Sequence, residues 1–174
     1  MAAIRLIGLD PGLQKTGWGV IEADGNRLRF VARGVVATDG QAPMASRLLE
    51  LYRGLTEIFR SHEGHVAAVE ETVVNRNPDT SLRLGHARGV ILLAAAHAGM
   101  EVHEYAAKAI KRAVVGTGAA EKRQVAMMVR TLLPSAGAVT GDAADALAVA
   151  ICHAHHRATA LRLDAALRMA PVPS

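Results

Sequence analysis

The sequence predicts an α/β protein built on a mixed sheet of about five strands flanked by helices, and three observations carry that prediction. The first forty residues hold three strand-like runs in succession. From Met44 onward the apolar residues switch to helical spacing. Two later strand-like runs, 65–70 and 100–105, each follow a helix-like segment. A meander followed by helix-linked strands requires a sheet that mixes antiparallel and parallel pairs, the later strands running parallel to the first.

Each element has its own signal. Residues 4–10 are apolar up to Asp10 and stop at Pro11-Gly12, a turn pair. Residues 16–22 follow, then Asp24-Gly25-Asn26, then residues 27–38; Asp-Gly between two strand-like runs is a hairpin signal. Met44, Leu48, Leu51, Leu55 and Ile58 recur at intervals of four and three and mark one helix face. Arg47, Glu50, Arg53, Glu57 and Arg60 lie mostly off that face. The strand 65–70 runs into two carboxylates, and a polar loop, 72–79, leads to a long helix near 80–99. Gly85 and Gly89, four apart, would permit close helix approach there, either in a dimer contact or in packing on the sheet. After strand 100–105 comes a short helix from about Ala106, then a break at Gly116-Thr-Gly118, and a helix over 121–133. Residues 134–141 form a loop, and a last helix runs from Asp142 to about His156. The remainder ends in Pro-Val-Pro and is expected to fray. The division is one folded domain, 1–158, and a C-terminal tail, 159–174.

Composition sets the class. A chain of 174 residues, 51% apolar and 21% charged, suits one globular domain with a true core and excludes a disordered tail, a collagen-like rod or a coiled coil. The longest apolar stretches, 89–99 and 143–152, are too short to span a bilayer. The start lacks the basic segment and long apolar run of an export signal. Cys152 is the single cysteine, so no internal disulfide can form and a reducing cytoplasm is the expected compartment. The net charge of +4 is compatible with a polyanionic partner. Sixteen of the twenty cationic residues are arginine, which together with abundant alanine reflects a biased base composition and is discounted as a nucleic-acid signal.

The acids carry the chemistry. Asp10 ends one strand, Glu70 and Glu71 end another, and Asp142 and Asp145 open a helix, three apart and therefore on one face. The carboxyl ends of parallel strands form a single rim where ligands bind. Asp10 and one of the glutamates meet there if their strands are neighbours, and a helix starting at that rim adds two more acids. Each acid alone has an ordinary explanation. Asp10 before Pro-Gly can start a turn, and Asp142 and Asp145 suit an N-cap and a first helical turn. Strand alternation sends Glu70 and Glu71 to opposite faces, and the pattern does not choose between them. Together, clustered carboxylates oppose one another's ionisation unless a cation reverses the sign. Acids without histidine or cysteine suit hard ions, above all Mg²⁺ or Mn²⁺. Two such ions about 3.5–4 Å apart can activate water and stabilise the leaving oxygen of a phosphodiester.

An ordered set of motifs now points further. Leu9-Asp-Pro-Gly12 with Thr16-Gly-Trp-Gly19, Val69-Glu70, Leu84-Gly-His-Ala-Arg-Gly89, Glu104-Tyr-Ala-Ala107, Val114-Val-Gly116, Ala120-Glu-Lys122, Met128-Val-Arg-Thr-Leu-Leu133 and Asp142-Ala-Ala-Asp-Ala-Leu-Ala148 resemble the RuvC family of Holliday-junction resolvases. The resemblance covers nearly the whole chain to about His156. It implies a ribonuclease-H-like fold and assigns catalysis and metal binding to Asp10, Glu70, Asp142 and Asp145, choosing Glu70 over Glu71. It implies two Mg²⁺ ions, with Mn²⁺ as a substitute, a homodimer, a four-way DNA junction as substrate, paired nicks in strands of like polarity, and a branch-migration motor as partner. The family's DNA-contacting cations fall on Lys111 and Lys122, with Arg76 a further candidate. Where the family commonly has an aromatic residue near the junction bases, this chain has Val73, which can wedge between bases but cannot stack as an aromatic does.

Other readings remain beside this one. His153 and His156 could share a helix face as zinc ligands, although histidines on a surface are the commoner outcome. Gly116-Thr-Gly118 resembles part of a phosphate loop but lacks its lysine and serine. A phosphotransferase of the actin-like ATPase superfamily would need a second lobe. A non-catalytic junction-binding module, or a nuclease of the same fold acting on RNA, completes the alternatives.

Overall fold

A computed structural model describes residues 3–72 and 77–169. Strands β1 (Ile4–Asp10), β2 (Lys15–Asp24) and β3 (Arg27–Ala37) form the expected meander, followed by α1 (Met44–His62), β4 (Val66–Glu70), α2 (Pro78–His97) and β5 (Glu101–Tyr105). Helices α3 (Ala107–Val115), α4 (Lys122–Leu132) and α5 (Asp142–Met169) complete the order, with a 3₁₀ turn at Pro134–Ala136 inside the predicted loop. The sheet order is β3-β2-β1-β4-β5. The β1–β2 and β2–β3 pairs are antiparallel, and β1–β4 and β4–β5 are parallel. This is the mixed five-stranded sheet that the sequence predicts.

Strand alternation divides the core into two layers. Leu6 of β1 and Val66 and Ala68 of β4 pack into the layer covered by α3, α4 and α5. Ile7 and Leu9 of β1 and Ala67 and Val69 of β4 pack into the layer covered by α1 and α2. The same parity sends Gly8 toward α5, where an added Cβ would lie 2.0 Å from the Ala146 carbonyl oxygen and 2.7 Å from the Ala150 nitrogen. Helix α5 meets this with a run of buried alanines, among them Ala144, Ala146, Ala148 and Ala150. Small residues on both partners allow helix and sheet backbones to approach closely.

Three details differ from the sequence expectation. Helix α2 begins two residues early because Asn77 caps it: its side-chain oxygen accepts from the amides of Asp79 (3.0 Å) and Thr80 (3.3 Å), ahead of a proline in the first turn. Helix α5 does not end near His156 but continues to Met169. The added stretch is rich in Ala, Leu and Arg, strong helix formers, and contains neither Gly nor Pro. Arg47, placed off the apolar face, is buried. Its Nε donates to Thr38 Oγ1 at 3.1 Å and its Nη2 to the Leu13 carbonyl at 3.4 Å, while Thr38 Oγ1 donates to that same carbonyl at 2.6 Å. The guanidinium thereby ties α1 to the β1–β2 turn. Among the described residues no helix is long and apolar enough to cross a membrane.

Overpacking a tight helix–sheet contact costs about 1–3 kcal/mol, and occasionally more. Gly8→Ala is therefore expected to lower the denaturant midpoint by at least that equivalent at unchanged m-value. An unaltered midpoint would show that α5 can lift away from β1 without cost.

Candidate active site

The site is built at the ends of β1 and β4. In the parallel β1–β4 pair Leu9 lies beside Val69, so the next residues, Asp10 and Glu70, are neighbours on the rim. Alternation turns both toward α5: Gly8 and Ala68 face that layer, and Asp10 and Glu70 stand two residues further along each strand. Parity thus selects Glu70, and leaves Glu71 exposed on the other side. The turn after Asp10 is closed by buried Thr16, whose Oγ1 donates to the Gly12 carbonyl at 2.6 Å.

Helix α5 brings the other two acids. Gly17 of β2 is the cross-strand partner of Asp10. A Cβ on Gly17 would sit 2.1 Å from the Asp142 carbonyl oxygen. The first turn of α5 therefore rests directly on the strand beside Asp10. Asp10, Glu70 and Asp145 line one cleft of about 230 Å³ with Lys111 and Lys122, against apolar walls from Ile110, Val125 and Ala148. Asp142 does not line the cleft, but its charge still acts on Asp10.

The electrostatics follow from this crowding. Burial first, then the charges of Glu70, Asp145 and Asp142, push the Asp10 carboxyl up to about 7, against the pull of Lys122. Burial and Asp145 also raise Glu70, opposed by Lys122 and Lys111. Lys122 Nζ donates to Asp145 Oδ2 at 3.0 Å, and this contact raises the lysine. Lys122 is the first residue of α4, held in place by a capping box in which Glu121 and Gln124 satisfy each other's amides. Among the described residues no three acidic, histidine or cysteine side chains have closed into a ready-made ion cage. The donor set is nevertheless oxygen only, and a divalent cation would relieve the mutual repulsion of these carboxylates.

The structure places Lys111 and Lys122, the DNA-contact candidates of the sequence resemblance, in the cleft with the acids. Val73 and Arg76 lie outside the described residues. His153 and His156 of α5 both pack on the Tyr105 ring, and among the described residues they are not part of a group that could hold a metal ion. His153 is buried, not at the surface, and accepts or donates at Nδ1 with the Tyr105 hydroxyl at 2.8 Å. Burial pushes its imidazole down to about 4. His155 Nδ1 instead faces the Ala113 carbonyl at 2.9 Å. The structural role of Arg47 was missed because an arginine among charged neighbours has no apolar signature.

Comparison with known proteins agrees with this geometry. The family model described as "Crossover junction endodeoxyribonuclease RuvC" matches residues 6–153. The chain belongs to the RuvC family. The RuvC of Acidiphilium cryptum is 64% identical over 93% of this chain and 97% of its own length. That of Gluconacetobacter diazotrophicus is 61% identical over 96% of this chain and 99% of its own. Among solved structures, Thermus thermophilus RuvC in complex with a Holliday junction substrate superposes with a TM-score of 0.84 at 32% identity, covering 90% of this chain and 96% of that one. The yeast mitochondrial Holliday junction resolvase Ydc2 shares the fold alone, with a TM-score of 0.64 at 10% identity. The fold is the ribonuclease-H-like nuclease fold, and RuvC membership implies divalent-metal use.

The raised carboxyls set a pH signature. In the folded state Asp10 titrates at about 7, whereas an unfolded aspartate titrates near 3.8. Its contribution to stability is fully present below about pH 4 and is lost as pH rises through 7. In EDTA, Asp10→Asn should therefore be stabilised relative to wild type more at pH 8 than at pH 5, measured by chemical denaturation. An equal difference at both pH values would mean that Asp10 titrates normally.

Proposed function

We propose that this chain is a crossover junction endodeoxyribonuclease that resolves four-way (Holliday) DNA junctions during homologous recombination and repair. The observation that carries the reading is the meeting of Asp10, Glu70 and Asp145 in one cleft with two lysines, in a RuvC-family chain. The solved relative that holds a junction substrate supports the choice of substrate.

Asp10, Glu70, Asp142 and Asp145 would hold two Mg²⁺ ions, with Mn²⁺ as a substitute. Such ions supply Lewis acidity at an attacking water and at the departing 3′-oxygen of the scissile phosphodiester. Asp10 must shed its proton to serve as a ligand, so proton and metal compete for it and metal binding strengthens as pH rises. Lys111 and Lys122 hold flanking phosphates; to do so Lys122 exchanges Asp145 for DNA. Arg76 adds a phosphate contact and Val73 lies near the crossover. Residues 1–158 form the nuclease unit, and nothing from 159–169 lines the cleft.

A homodimer completes the reading, because a two-fold axis sets one site on each of two strands of like polarity. Helix α2 offers a face for it. Ala87, Ile91, Ala94 and Ala95 pack on the sheet, while Gly85 and Gly89 point into open space with Leu82 and Leu93 exposed beside them. The glycines therefore do not serve packing on the sheet. Leu93→Glu is expected to shift the chain from dimer to monomer in sedimentation analysis; a dimer that persists would move the contact elsewhere. Recruitment by a branch-migration motor and action in the cytoplasm belong to the same reading and rest on family membership.

The test of function is a nicking assay on synthetic four-way junctions with Mg²⁺, then with EDTA, beside an RNA substrate. Paired nicks in strands of like polarity are expected with Mg²⁺ only. Asp10→Asn should abolish them while junction binding persists. Full activity of that variant, or a preference for RNA, would overturn the assignment.

A further inference from the structure

A second opening lies on the same rim, on the far side of the turn that leaves Asp10. It is a groove of about 420 Å³ whose polar lining comes from Gln14, Gln41, Arg47, Thr80 and Arg83. Three separate segments meet there: the β1–β2 turn, the start of α1 with the residues before it, and the first turns of α2.

The charge in this groove is uncompensated. Arg47 is 9% exposed, yet its two hydrogen bonds go to neutral oxygens, Thr38 Oγ1 and the Leu13 carbonyl. A guanidinium carries five N–H donors, so most of its capacity is unused. Among the described residues neither Arg47 nor Arg83 pairs with a carboxylate. No acid lines the groove. Of the carboxylates close in sequence, Asp39 Oδ1 accepts from the Gln41 amide at 2.9 Å and Glu50 Oε2 from the Asp39 amide at 2.9 Å; Asp79, beside Thr80 and four residues before Arg83, neither lines the groove nor makes an ion pair among the described residues. A buried cation without a counter-ion is costly, and an anion in the groove offsets that cost. Thr80 and the two glutamines add neutral donors of the kind that accompany arginine at phosphates.

Position decides which anion. Leu13, whose carbonyl holds Arg47, stands three residues after Asp10, so the two are separated by at most about 11 Å of chain. A polyanion engaged at the carboxylate cleft passes within reach of this groove. We infer that the groove binds a backbone phosphate of a junction arm, with Arg47 fixed as a buried anchor and Arg83 closing on the phosphate from α2. The inference rests on the junction-resolvase reading and extends it to a contact on the α1–α2 side of the sheet, opposite Lys111 and Lys122. A phosphate contact positions the duplex without reading its sequence.

The test measures binding of a fluorescently labelled four-way junction in EDTA across a salt series, for wild type, Arg83→Ala, Arg83→Lys and, as reference, Lys122→Ala. Arg83 is exposed and makes no hydrogen bond or ion pair among the described residues, so its variants should fold, which thermal unfolding checks. Each neutralised phosphate contributes about 0.9 to the slope of log K against log salt. Arg83→Ala is expected to bind several-fold more weakly near 0.1 M salt, with the slope shallower by about 0.9 per groove engaged. Arg83→Lys should restore the slope. Unchanged affinity, or weaker binding at unchanged slope, overturns the inference. If Lys122→Ala loses slope and Arg83→Ala does not, only the groove is refuted. A wild-type chain that fails to bind the junction refutes the resolvase reading as well.

Discussion

Three missing β-carbons govern this structure. Gly8, Gly17 and Gly19 lie on the face of β1 and β2 that meets α5, and a Cβ at any of them would collide with that helix at 2.0–2.6 Å. Without them the helix backbone settles against the sheet at Gly8 and Gly17, and the Leu147 side chain packs into the space over Gly19. That contact sets the height and direction of the first turn of α5. Asp142 rests over Gly17, and Gly17 is the strand partner of Asp10. The convergence of distant acids is thus a consequence of packing. The Ala-rich underside of α5, a compositional bias at first sight, is the other half of the same fit.

Packing that close concentrates negative charge, and the fold has to hold the cluster together without an ion. It does so in two ways. Burial and the neighbouring acids raise the Asp10 carboxyl and so favour its neutral form. Lys122 reaches from the first residue of α4 to Asp145 and also lowers Asp10 and Glu70. That lysine side chain is 86% exposed, so an ion pair holding it is of modest strength and readily exchanged. The interaction suits a placeholder: strong enough to balance charge in the free protein, weak enough to be given up to a phosphate.

Much of this was legible in the sequence, for identifiable reasons. The five strands and five helices follow from period changes and turn pairs, which are local signals. The acids were visible because carboxylates at the ends of apolar strands are chemically out of place. Glu70 over Glu71 needed the register: once Leu9 pairs with Val69, parity decides, but no single strand shows which of its faces meets α5. Arg47 and His153 were misplaced because their burial depends on partners remote in sequence, Leu13 with Thr38 for one and Tyr105 for the other. The length of α5 was underestimated because the Pro-Val-Pro end suggested a frayed tail, while helix propensity carried the chain on. Val73 and Arg76 lie outside the described residues.

Charge sorting along the rim links fold to function. The acids sit at the centre, where parallel strands end and α5 begins. Cations flank them from different layers: Lys111 and Lys122 from the helices on the α5 face, Arg47 and Arg83 from those on the opposite face. A uniformly basic surface would bind DNA but would repel the dication that hydrolysis needs. A uniformly acidic one would gather ions and reject the backbone. Separating the two signs by layer lets one edge of a small sheet present cations at its margins while keeping an anionic pocket at its middle, an arrangement in which a divalent cation would offset the repulsion between that pocket and a phosphate.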